Sequence, residues 1–259
     1  MSSRIHATAI VDSAARIAAD VEIGPYSIIG PHVEIGAGCV IGPHAVIKGH
    51  TRIGINNHIF QFVSLGEMPQ DKKYAGEPTR LEIGDNNVIR EFCTFNIGTA
   101  QDVGVTRLGN DNWIMAYVHL AHDCQIGNHT IFANNAQLAG HVHIGDYAIL
   151  GGYTGVHQFC RVGAHVITGI GTHVLKDVPP FVTASGSPAA PHGINAEGLK
   201  RRGYSAEAVS EIRRAYKTLF RSGDTLDVAL AALKTQAAAC AELQLLVDFL
   251  LVPGRGIIR

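Results

Sequence analysis

Aliphatic residues recur at every sixth position of this chain and keep their phase. Ile5, Val11, Ile17, Ile23, Ile29, Ile35, Ile41, Ile47, Ile53, Ile59 and Leu65 hold it through eleven consecutive hexads, and Gly often follows, as in Ile23-Gly24, Ile29-Gly30 and Ile35-Gly36. A helix repeats every 3.6 residues and a half-buried strand every 2, so neither produces this spacing. A six-residue unit with one inward aliphatic and a Gly-assisted corner suits a short strand plus a turn. Three units close a triangular coil of about 18 residues, and each coil buries its aliphatics against the next, roughly 4.8 Å away. The ladder breaks twice. Gln70–Pro78 is a polar, Pro-bearing excursion, after which Ile83, Ile89 and Phe95 restore the rungs. Gln101–Arg107 is a second break, and Leu108 resumes one residue out of register. The rungs then run to Val174, with Thr168 a weak one, and Pro179-Pro180 ends them.

Hexapeptide ladders of this kind resemble the left-handed parallel β-helix family. The expected fold is therefore an all-β left-handed parallel β-helix over residues 1–190, with inserted loops at about 66–82 and 99–107. A C-terminal α-helical domain is expected over 191–259. There Ser205 is a good N-cap, and Val209, Ile212, Ala215, Tyr216 and Leu219 fall at helical spacing.

A net charge of −1 argues against a general nucleic-acid or membrane-surface binder. The apolar runs are too short for a transmembrane segment. The five cysteines are scattered, odd in number and without a C-x-x-C pair, which suits reduced thiols and a cytoplasmic location. The N-terminal stretch has no signal-peptide core.

The chemistry concentrates at one step of the ladder, Leu120-Ala121-His122-Asp123-Cys124. Eighteen residues per coil places His122 over positions 140 and 158, so His141 and His157 each miss that line by one residue. Three imidazoles thus share one edge of the prism, with His119, Gln158 and Gly140 beside them. The bland reading is a stack of exposed corner histidines. Two chemistries compete with it. His122 can serve as a general base with its tautomer fixed by Asp123, the Gly140 amide holding an oxyanion, which is acyl transfer. Alternatively the three histidines bind zinc with an open position for water, as in a γ-class carbonic anhydrase. Lys200-Arg201-Arg202, with Asn195 and Glu197, suits a diphosphate or is a solvated helix end. Asp71 and Lys73 on the first excursion are ambiguous alone.

Five stretches together resemble the UDP-N-acetylglucosamine O-acyltransferase family. They are Tyr74–Arg80, Ala121–Cys124, Leu138–His141, Val156-His-Gln-Phe-Cys160 and Glu197-Gly-Leu-Lys-Arg-Arg-Gly203. The resemblance covers essentially the whole chain. It implies a homotrimer with sites in the clefts between prisms. It also implies transfer of a (3R)-3-hydroxyacyl group from acyl carrier protein to the 3-hydroxyl of UDP-N-acetylglucosamine, the first step of lipid A biosynthesis. His122 is then the base, Asp123 its partner and the Gly140 amide the oxyanion donor. His119, His141, His157 and Gln158 become substrate contacts. Asp71 and Lys73 meet the sugar or acyl group, and Asn195, Glu197, Arg201 and Arg202 hold the nucleotide. No metal or cofactor is implied. The chain departs from the family where Asn96-Ile97 precedes Gly98-Thr99, a place where His-Arg is usual. It also has Ile170 where long-chain members carry Gly, which predicts a donor shorter than myristoyl. The N-acyltransferase acting later in the same pathway shares the ladder but carries an additional N-terminal domain.

Overall fold

The computed structural model describes residues 4–259. Its strands form three sheets of eleven, nine and eight strands, which are the three faces of a prism. Face one begins with Arg4–Ile5, face two with Ile10–Val11 and face three with Arg16–Ile17. Each strand pairs in parallel with its counterpart eighteen residues on, as in Ile5 with Ile23, Val11 with Ile29 and Ile17 with Ile35. Two coils are longer. Arg80 pairs with His50 and Val105 pairs with Arg80, so twelve and seven residues loop out beyond the normal eighteen. The loops occupy 68–79 and 97–104, and both leave face two and re-enter on face three. Both therefore emerge at the same edge.

The rung residues point inward and are buried from Ile23 to Val174. Thr168 is buried too, with its hydroxyl accepting from Gly151 N (2.9 Å) and paired with the Thr154 hydroxyl (2.8 Å). Corners demand a left-handed residue, and most are not glycine. Tyr26, His44, Phe62, Phe92 and Tyr117 on the edge between faces one and two have φ of 55–63°. A β-carbon in that region costs of order 1–2 kcal/mol. Each ring stacks on the ring one coil away at 4.7–5.4 Å, and the amides of Tyr26, His44 and Tyr117 donate to the preceding coil, which offsets the strain.

The outward residues differ by face. Face one presents Val40, Val88, Trp113, Ile131, Ile149 and Ile167. Face two presents Ile10, Ile28 and Val46, then Thr94, His119 and Gln137. Face three presents Arg16, Glu34, Arg52, Glu82 and Arg107, tied by ion pairs such as Arg107–Glu82 at 2.8 Å.

The prism ends in an antiparallel hairpin, Val182–Ser185 with Ala190–Ile194, laid on face one. Four helices follow: α1 (Ala196–Arg201), α2 (Ala206–Phe220), α3 (Leu226–Ala237) and α4 (Gln244–Leu251). Asn195, Ser205 and Thr225 cap the first three. Phe181, Leu199, Ile212, Leu219, Leu233 and Leu246 form their core. The C-terminal tail returns to the prism, where Asp177 N–H donates to Gly256 O and Asp177 O accepts from Ile258 N–H, and the Arg161–Asp177 pair closes beneath it at 2.8 Å. Among the described residues no helix is long and apolar enough to cross a membrane.

Candidate active site

His122, Asp123 and His141 come together on the edge between faces two and three. Asp123 occupies a left-handed corner (φ 60°) and is fully buried. Its Oδ2 lies 2.9 Å from His122 Nδ1. The Thr99 amide donates to both Asp123 oxygens (3.0 and 3.1 Å), the Thr99 hydroxyl donates to Oδ2 (2.6 Å), and Asp123 N–H donates to Thr106 Oγ1 (2.8 Å). Burial pushes this carboxyl up, but the hydrogen bonds from His122 and Thr99 outweigh it and hold the group below its ordinary range. Asp123 is thus a carboxylate whose donors are all in place, and it can fix the His122 tautomer.

Gly140 sits one coil away, under the His122 ring. A β-carbon there would approach His122 Cε1 to 2.5 Å, so only glycine admits the imidazole. Among the described residues the Gly140 N–H donates to no group of the chain. His141 stacks on Phe159 at 4.3 Å and meets His122 edge-on at 4.9 Å. Its Nδ1 lies 2.5 Å from Asp102 Oδ2, on the second excursion.

His119 is packed beside this pair. Burial lowers its basicity by more than a hydrogen bond to the Thr94 backbone raises it, so the net shift is downward, and its Nδ1 lies 2.7 Å from the Thr94 hydroxyl. His119 and His157 line a groove of about 440 Å³ along face two, floored by Ala139 and Val156 and reaching His173 and Leu175. His157 and Gln158 are exposed at its rim, with His157 Nδ1 3.2 Å from its neighbour's carbonyl. The three-histidine zinc arrangement does not form. The compact donor group is His122, Asp123 and His141, without His157. Both of its imidazoles turn Nδ1 to carboxylates, and Asp123 is already filled by donors.

The other expected residues lie elsewhere. Asp71 Oδ1 accepts from Lys73 N (3.0 Å) and shapes the tip of the first excursion, whose loop shares the His122 edge, while the Lys73 side chain is exposed. Asn195, Glu197, Arg201 and Arg202 gather at the edge between faces three and one, roughly one face-width or 20 Å away. Asn195 works in the fold as well: it caps α1 and donates to His165 O (3.0 Å). Arg202 lies over the Tyr147 ring (5.1 Å) and donates to Tyr147 O (3.1 Å) and to His165 Nδ1 (3.3 Å). Burial and the Arg202 charge push His165 down to about 4, so it is a neutral acceptor. Arg201 is exposed, and Glu197 pairs with Lys200 at 2.9 Å. Ile170 does not pack into the prism. It stands 79% exposed on the edge between faces one and two, over Gly152 of the coil below. Asn96 and Ile97 are buried under the first excursion, with Asn96 Nδ2 donating to Met68 O (3.1 Å). The departure from the family there leaves Gly98 and Thr99, and so the support of Asp123, in place.

Thr99, Asp102 and Thr106 were not among the expected site residues. They sit 24, 39 and 17 residues from their partners, and a loop of seven extra residues hides the first two from an 18-residue ruler.

Residues 177–258 match the family model described as UDP N-acetylglucosamine O-acyltransferase, domain 2, and residues 14–49 and 106–140 match the bacterial transferase hexapeptide. A Thiobacillus denitrificans protein named acyl-[acyl-carrier-protein]–UDP-N-acetylglucosamine O-acyltransferase is 71% identical over 98% of this chain and 99% of its own length. The solved LpxA structure from Acinetobacter baumannii superposes with a TM-score of 0.97 at 52% identity, covering 98% of this chain and 99% of that one. The UDP-N-acetylglucosamine acyltransferase of Arabidopsis superposes at 0.84 with 32% identity, over 98% and 100%.

Proposed function

The chain belongs to the UDP-N-acetylglucosamine O-acyltransferase family, and on that premise we propose that His122 is the base of its acyl transfer. The substrates are a (3R)-3-hydroxyacyl carrier protein and UDP-N-acetylglucosamine, and the reaction opens lipid A biosynthesis in the cytoplasm. The observation that carries the reading is the His122–Asp123 contact, backed by three hydrogen bonds from Thr99. With Nδ1–H donated to the carboxylate, Nε2 keeps its lone pair. Nε2 removes the proton of the sugar 3-hydroxyl as its oxygen attacks the thioester carbonyl. The Gly140 N–H supports the oxyanion of the tetrahedral intermediate. Collapse expels the carrier's thiolate, which takes the proton back from the imidazolium. Atoms and charges balance without a metal or cofactor.

Assembly follows from the faces. Face one is apolar in its later coils, face two is apolar in its early coils, and face three is charged. Three prisms about a three-fold axis bury the first two faces and leave the third in water. That packing sets the Tyr26–Tyr117 edge on the axis. It brings the His122 edge of one copy beside the Arg202 edge of the next, across the outer mouth of each cleft. A site needing both base and nucleotide residues is then shared between subunits. The apolar groove on face two runs inward from His119, with Ile170 on the axial edge, as suits an acyl chain whose length Ile170 limits below myristoyl.

The test is His122→Ala in the assembled protein, with the product from UDP-N-acetylglucosamine and hydroxyacyl carrier proteins read by mass spectrometry. A general base is worth roughly 10²–10⁴-fold. A rate within a few-fold of wild type removes His122 from the mechanism.

A further inference from the structure

The second excursion gives one support to each member of the histidine pair. Thr99, at one end of a turn, holds Asp123 and through it His122. Asp102, whose amide donates to Thr99 O at 3.4 Å, closes the same turn and places its carboxylate 2.5 Å from His141 Nδ1. The loop can enter this space because Gly98 has no side chain: a β-carbon there would meet Val105 N at 2.3 Å and Asp123 Oδ1 at 2.8 Å.

His141 needs such a partner. Stacking on Phe159 fixes the plane of the ring, but it does not choose which nitrogen carries the proton. The other carboxylate near Nδ1 is Asp123, with Oδ2 at 3.9 Å, and that oxygen already receives His122 and Thr99. Were Asp102 absent, His141 would compete with His122 for one carboxylate.

We propose that Asp102 is a positioning residue for the transfer: it holds the His141 Nδ1–H, presents Nε2 to the acceptor sugar as a hydrogen-bond acceptor, and keeps His141 away from Asp123. The proposal rests on the reading of His122 as base and His141 as a substrate contact. The seven inserted residues then have a single purpose, to assign a separate carboxylate to each imidazole.

The experiment is a double-mutant cycle on the intact assembly, with Asp102→Ala, Asp102→Asn and His141→Ala singly and combined. Asp102 lies on a partly exposed loop, so thermal midpoints should stay near wild type. Asp102→Ala should raise KM for UDP-N-acetylglucosamine about tenfold, as loss of a charge-assisted hydrogen bond does. KM for the acyl carrier should move little. Asp102→Asn still accepts through Oδ1 and should recover most of the loss. In the His141→Ala background, Asp102→Ala should change nothing further. Unchanged kinetics in Asp102→Ala, or an equal loss with and without His141, overturns the proposal. A His122→Ala enzyme that keeps its activity overturns the base assignment instead, and the Asp102–His141 coupling is measured independently of that result.

Discussion

Gly140→Ala adds one methyl group directly against the ring of the proposed base. The new carbon would lie 2.5 Å from His122 Cε1 and 2.7 Å from Nε2. Carbon atoms in ordinary contact stand about 3.5–4.0 Å apart, so the ring must retreat by about 1 Å. It cannot swing freely, because Asp123 holds Nδ1 and His141 closes the other side. A misplacement of that size costs about 10²-fold in rate, or about 2.7 kcal/mol of barrier. Gly140 is outside the left-handed region, so alanine brings little backbone strain and the fold should survive. The assay is steady-state kcat for Gly140→Ala, His122→Ala and the double variant, with thermal midpoints alongside. Gly140→Ala should lose about a hundredfold in kcat with its midpoint little changed, and the double variant should be no slower than His122→Ala. A wild-type rate would refute the steric reasoning. Additive losses would show that the methyl acts on something other than His122.

Asp123 is depressed in the fold, so its stabilisation is complete above the unfolded carboxyl value near 3.8 and is lost as pH falls through the lower folded value. Thermal midpoints should begin to drop below about pH 4, and Asp123→Asn should flatten that limb; an unchanged acid limb counts against the argument. Arg201 is exposed, so Arg201→Ala should raise KM for the UDP-sugar and leave the midpoint alone, whereas Arg202→Ala should raise KM and lower the midpoint through its lost contacts to Tyr147 and His165. An effect on the carrier's KM alone would reassign both arginines to the carrier. Ile170→Gly should shift the kcat/KM ratio toward longer hydroxyacyl donors, each added CH₂ that fits being worth roughly 0.8 kcal/mol; an unmoved ratio places the limit elsewhere. Light scattering should give three copies, and an active monomer would contradict the packing of faces one and two.

The hexad phase made the prism legible because every rung answers to one rule, an aliphatic inside and a corner after it. Even Thr168, the weak rung, keeps its place by pairing its hydroxyl with Thr154. The same ruler placed His122, Gly140 and His141 together, since they lie on coils of uniform length. It failed for Asp102 and Thr99, because insertions change the spacing without leaving a periodic trace. It also missed the fold work done by Asn195 and Arg202. A cap and a cation–π contact depend on where a helix docks, and no repeat fixes that. The environment of Ile170 was equally hidden: its exposure follows from a corner position on a late coil.

The hairpin and returning tail at the far end of the prism have a consequence for solution behaviour. A stack of parallel coils is an open-ended polymer in miniature, since its last strand offers the hydrogen-bonding row that recruited it. Here each row is occupied. Ala190–Ile194 lies antiparallel on face one, so its partner strand can accept no parallel newcomer. On face two, His173 gives its amide to Gly186 and receives that of Ala189, both from the hairpin's connecting turn. On face three, Asp177 takes its contacts from Gly256 and Ile258 of the tail. The C-terminal region is thus a stopper, and a chain clipped before residue 182 would expose three sticky rows and grow end to end into fibres.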